Sequence, residues 1–157
     1  MRKRSTYRPR HQLQDPLAWV INGFKPLTIS AGNEVLLLRI KNHAALTAAC
    51  EGLATFNDID ILVSAMNIAE ALEKLGVSVG WANEIREGHD ALYNACKRDK
   101  FLFTGTEVEA MSTAMEILDA QIEKCTIGQL DEAVRIVKEI IRLKKARTLS
   151  AKQLEPT

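Results

Sequence analysis

From Glu34 onward, apolar residues recur along the chain at steps of three and four, the spacing of one face of an α-helix. The first such stretch runs from about Glu34 to Cys50. It sets Leu36, Leu37, Ile40, Ala44, Thr47 and Ala48 on one side, and Gly52 supplies a left-handed stop. Thr55-Phe56-Asn57-Asp58 then has the form of a capping box, with Asp where Glu or Gln is usual. It opens a helix that should end at Gly76, with a wide apolar face of Ile59, Leu62, Val63, Met66, Ala69, Leu72 and Leu75. A further helix, from about Val79 to Arg98, is expected to bury Trp81, Ile85, Leu92 and Ala95 or Cys96. Gly80 and Gly88 each weaken it by roughly 1 kcal/mol relative to Ala, and one of them suits a close helix crossing. Ahead of these elements, Asp15-Pro16 opens a short helix to about Asn22, stopped by Gly23. Residues 24–32 read as a connector, with some extended character at Leu27 to Ile29.

The sharpest pattern lies near the end. Val108, Met111, Met115, Leu118, Ile122 and Cys125 step alternately by three and four, an a/d seam opened by the capping box Thr104-Gly105-Thr106-Glu107. Thr126-Ile127-Gly128-Gln129 restarts a helix, and Ile127, Leu130, Val134, Val137 and Ile141 repeat the stepping. So short a joint at Cys125-Thr126 predicts an antiparallel hairpin or a bent pair. The seams are either internal packing of one bundle or the interface of a homodimer. In the second case Met111, Met115, Leu118, Ile122, Leu130, Val134, Val137 and Ile141 form the interface. The fold class is therefore all-α, a bundle of five or six helices with a C-terminal helical hairpin. Residues 1–14 form a basic arm expected to be flexible, residues 15–147 a single helical domain, and residues 148–157 a flexible tail.

At 157 residues, with 46% apolar and 26% charged side chains, the chain is one domain's length. It is large enough to bury a core without disulfides or metal, and too apolar for general disorder. No run approaches the roughly 18 apolar residues of a membrane span, and Met1-Arg2-Lys3-Arg4 is not followed by an apolar signal core. The expected location is cytoplasmic, with no membrane partner.

Charge is uneven. Residues 1–11 carry Arg2, Lys3, Arg4, Arg8 and Arg10 and no acid, net +5; residues 138–152 carry six basic residues against Glu139, again net +5. Residues 12–137 hold ten basic and eighteen acidic side chains, net −8. An acidic body thus lies between cationic ends. The candidates for phosphate contact are Arg2, Lys3, Arg4, Tyr7, Arg8 and Arg10 at one end and Arg142, Lys144, Lys145 and Arg147 at the other. The same residues also suit docking on the acidic body or plain solvation. A helix-turn-helix built around residues 81–96 is disfavoured, because Glu84, Glu87 and Asp90 against Arg86 would repel phosphate.

Catalytic frames are missing. Cys50, Cys96 and Cys125 have no metal spacing and read as reduced, partly buried small hydrophobes. His11, His43 and His89 have no partner at metal-ligand spacing; Glu84 and His89 stand five apart, where a di-iron helix needs three. His89-Asp90 lacks any local nucleophile signature, and no glycine sits in a phosphate-binding frame. The expectation is a protein without enzymatic activity, metal or cofactor.

Several strings, Tyr7-Arg8-Pro9-Arg10, Ile40-Lys41-Asn42-His43, Asn67-Ile68-Ala69-Glu70-Ala71, Asp90-Ala91-Leu92 and Asp119-Ala120-Gln121, resemble those of small uncharacterised proteins carried by phages, prophages and other mobile elements of proteobacteria. The resemblance spans most of the chain and implies a genomic setting, with no site residue to carry over. In that setting an all-helical chain reads as an accessory binding module, one that regulates expression or grips a host protein.

Overall fold

The computed structural model describes residues 32–98 and 100–143. These form five helices: α1 Gly32–Cys50, α2 Phe56–Lys74, α3 Ala82–Cys96, α4 Gly105–Lys124 and α5 Ile127–Arg142. The expected helix at residues 15–22, the basic arm, the tail and all the phosphate-contact candidates except Arg142 lie outside the described residues.

Local chemistry sets the helix ends. Thr55 accepts from Asp58 N–H while the Asp58 carboxylate accepts Thr55 N–H at 2.8 Å, so Asp closes the box despite its shorter reach. Thr126 and Gln129 form the same reciprocal pair at the start of α5. At the start of α4, Glu107 accepts Thr104 N–H at 2.8 Å. Gly52 and Gly76, with φ of 70° and 84°, take the left-handed turns after α1 and α2 that a Cβ would penalise.

Helix α2 is the axis of the bundle. It packs against each of the other four helices, and α4 closes the core against α1, α2 and α3. The shared interior holds Leu62, Met66 and Leu72 from α2, Ile85 and Leu92 from α3, and Met111, Met115, Leu118 and Ile122 from α4, each at most 2% exposed. At the α3–α4 crossing the two helices come close. An ideal Cβ on Gly88 would stand 2.7 Å from Ala114 Cβ and 3.0 Å from Met66 Sδ, so this glycine permits the helices to approach.

Four expectations are corrected. The seam Met111, Met115, Leu118 and Ile122 is buried inside the chain itself, so it is not a surface between subunits. Of the two geometries expected for the C-terminal pair, the packed hairpin is not formed and the bent pair is, since α5 turns away at Cys125 and lies on α2 instead of running back along α4. Trp81 is not buried. The Glu73 carboxylate accepts both Gly80 N–H and Trp81 N–H at 3.2 Å, which holds the preceding turn open, so α3 begins at Ala82 and Trp81 remains 44% exposed. Helix α1 is rotated from its expected phase. It buries Val35, Asn42, Ala45, Leu46 and Ala49 and turns Leu36, Leu37 and Ile40 outward.

Candidate protein-binding groove

Helix α5 is strongly two-sided, yet Ala133 is its one fully buried residue among those described. A small side chain at the contact with α2 lets α5 lie close, and its larger apolar residues then project to either side. They line two hollows. On one flank Leu130 and Val134 face Leu38, Asn42, Ile61, Ile68, Leu118 and Ile122 across about 320 Å³. On the other, Ile136, Val137, Ile140 and Ile141 form one wall of a groove of about 600 Å³. The second predicted seam, Leu130, Val134, Val137 and Ile141, is thus divided between two hollows and is not a single stripe.

The larger groove runs between α3 and α5 over a floor of α2. Val63, Asn67, Glu70, Ala71 and Lys74 come from α2, and Ala82, Asn83, Ile85, Arg86, His89, Leu92 and Tyr93 from α3. Their spacing follows helix periodicity, so α2 and α3 each contribute one continuous face about 16 Å long, and the α5 wall from Ile136 to Ile141 about 7.5 Å, at 1.5 Å per residue. The α3 wall is apolar where Ile85 and Leu92 enter the core, and the rim is charged.

One ionic cluster organises that rim. Glu70 accepts from Lys74 Nζ at 2.7 Å and lies 3.5 Å from His89 Nε2, within ion-pairing range but without the alignment of a hydrogen bond. His89 first and Lys74 second hold the Glu70 carboxyl down at about 2, against the opposing effect of burial. Arg86 donates to Asn83 Oδ1 at 3.1 Å. The lining therefore offers an imidazole–carboxylate pair and cationic donors, with no thiol and no Ser or Thr hydroxyl beside them. The thiols lie elsewhere, and burial raises all three, Cys96 to about 11, which leaves them poor nucleophiles. Among the described residues no group of three or more His, Cys, Asp and Glu side chains is placed to hold a metal ion.

A second polar cluster joins α1 to α4. Arg39 Nε lies 3.2 Å from Asp119 Oδ1, Arg39 Nη1 donates to Glu123 at 3.0 Å, and His43 Nε2 lies 2.8 Å from Asp119 Oδ2. A basic i, i+4 pair, Arg39 and His43, and an acidic one, Asp119 and Glu123, were the available sequence signal. Their matching across helices depends on a packing order that periodicity does not supply.

Of the phosphate-contact candidates, Arg142 ends α5 with Nη2 and Nε on the two oxygens of Glu139, at 2.6 and 3.0 Å. Arg2, Lys3, Arg4, Tyr7, Arg8, Arg10, Lys144, Lys145 and Arg147 lie outside the described residues. Among the described residues, no helix is long and apolar enough to cross a membrane.

No family model, curated protein or solved structure matches this chain.

Proposed function

We propose that the chain is a non-enzymatic accessory protein of a phage or other mobile element that acts by protein–protein contact. On this reading the groove between α3 and α5 takes an amphipathic helix of a partner protein. The observation that carries it is α5 itself, an amphipathic helix seated chiefly on α2 whose isoleucines and valine line an open groove. A guest helix is the occupant that fits. The floor and both walls are helices, and the α2 and α3 faces of about 16 Å match three turns of a guest presenting apolar side chains at i, i+3, i+4 and i+7, with α5 flanking about half of that length. The net −8 of residues 12–137 favours a partner whose apolar stripe is flanked by basic residues. Binding at this groove would block or modulate the protein that supplies the helix.

The test is selection of displayed amphipathic helical peptides on the immobilised protein, followed by titration of the recovered peptides. Recovered sequences with an apolar three-four stripe, bound at least about tenfold more weakly by Val137→Asp/Ile140→Asp, support the reading. Peptides that bind the double variant as well as the wild type refute it, as does a selection that yields no peptide.

A second reading, nucleic-acid binding through the basic ends, is favoured by the net +5 of residues 1–11 and of residues 138–152. It predicts DNA affinity that falls steeply between about 50 and 200 mM salt and is lost on deleting residues 1–11. Fluorescence anisotropy with short duplex and single-stranded DNA decides it.

A further inference from the structure

Helix α1 packs on α2 and α4 through Val35, Asn42, Ala45, Leu46 and Ala49, and among the described residues none of these helices covers its outer side. Leu36, Leu37 and Ile40 stand 56%, 66% and 56% exposed, a contiguous apolar strip over the first turns of the helix. Scattered apolar side chains need no explanation, but a strip at helix spacing is a surface awaiting an occupant.

The adjoining sequence carries a matching pattern. Thirty-one residues precede α1 and end where it begins. Within them the sequence predicts a helix over 15–22, with Leu17, Val20 and Ile21 at i, i+3 and i+4. We propose that this segment docks antiparallel on α1 and covers Leu36, Leu37 and Ile40, adding a helix to the bundle.

Geometry and concentration both favour it. An eight-residue helix runs about 12 Å, the distance from Leu36 to Ala44 along α1. The nine residues 23–31 reach up to about 30 Å when extended, ample to reverse the chain. A tethered segment acts at an effective concentration of order millimolar, far above that of a second copy in dilute solution. Intramolecular cover therefore outcompetes a dimer formed through the same leucines. The arm of residues 2–10, net +5, would then be held beside the bundle and not far from it.

Hydrogen exchange on the full chain, read by mass spectrometry, tests the proposal together with gel filtration. Amides of residues 15–29 should exchange at least about tenfold more slowly than in a synthetic peptide of the same sequence. Leu37→Asp/Ile40→Asp should abolish that protection and leave residues 56–124 unchanged. If that variant weakens the bundle, Val20→Asp, which alters no described residue, should release the segment on its own. Free-peptide exchange of residues 15–29 in the wild type overturns the proposal. So does protection that survives Leu37→Asp/Ile40→Asp in an intact bundle. A wild-type mass of two chains that falls to one in the double variant, with residues 15–29 unprotected throughout, would assign the strip to a second copy.

Discussion

At Gly88 one methyl group separates contact from overlap. The distances of 2.7 Å to Ala114 Cβ and 3.0 Å to Met66 Sδ leave no room for a Cβ, and Ala114 sits on a helix backbone that cannot move alone. Gly88→Ala should therefore lose about 1–3 kcal/mol to overpacking, more than the roughly 1 kcal/mol that alanine gains in helix propensity. Urea unfolding measures the balance, and a higher midpoint in the variant would show that the α3–α4 crossing is looser than this. The sequence marks Gly88 as a costly residue inside a helix, which is half of the argument. Which neighbour it faces depends on packing order. Asn42 and Gln121 were illegible for a different reason. Both are polar yet 3% and 0% exposed, and Gln121 Nε2 donates to Ala69 O at 3.0 Å and Val77 O at 3.4 Å, tying α4 to the end of α2. A pattern that sorts residues by polarity places such side chains outside.

At the scale of elements, helix starts were written in the sequence and helix phase was not always. The three capping boxes stand where the sequence puts them, because a cap is a contact between residues three apart and needs no tertiary partner. In α1 the run Val35-Leu36-Leu37-Leu38 is apolar on every side, so the buried face was decided by contacts with α2 and α4. The unequal anchoring of the helices has consequences that can be measured. Because α5 rests chiefly on one neighbour, its cap matters locally: Thr126→Ala should cost about 1 kcal/mol. Amide exchange in residues 127–142 should then quicken about fivefold while α2 and α4 stay protected. Equal acceleration everywhere would show that α5 unfolds only with the bundle. The α3–α4 corner is the opposite case. Arg98 donates to both oxygens of Glu107 and to Leu102 O, and Glu107 also caps α4. Arg98, helped by the Thr104 contacts, holds the Glu107 carboxyl down at about 2, against an ordinary value of 4.5. A depressed carboxylate stabilises fully above its ordinary value and loses that contribution as pH falls toward its folded one. Glu107→Gln should thus destabilise at pH 7 by about 1–2 kcal/mol, since Glu107 is largely shielded while Arg98 is partly solvated. The difference from wild type should shrink between about pH 4.5 and about pH 2. Parallel stability curves across that window would mean the pair contributes nothing.

For the whole molecule, the question is what the heptad stepping in the sequence serves. A three-four seam looks the same whether its partner is another helix of the chain or a second copy, because periodicity records that a face is covered and not by what. The structure places Met115 at 0% and Leu118 at 1% exposure inside one chain, and this assignment differs from a dimer seam in a measurable way. Met115→Ala and Leu118→Ala each remove several buried methylene or methyl groups and leave a cavity in a core already close-packed, which costs about 2–5 kcal/mol. If the seam is internal, that loss lowers Tm by the same amount at every protein concentration, since no association step is linked to folding. If the seam joined two copies, the wild-type Tm itself would rise with concentration by mass action, and the variants would flatten that slope as they dissociate. Thermal unfolding of wild type and both variants over a hundredfold range of concentration separates the two cases. The expected result is three flat lines, the variants well below the wild type; a wild-type line that climbs and variant lines that do not would return the seam to an interface. Flat lines would also argue against self-association of the native chain through any surface over that range, and would leave the α3–α5 groove and the outer strip of α1 to other occupants.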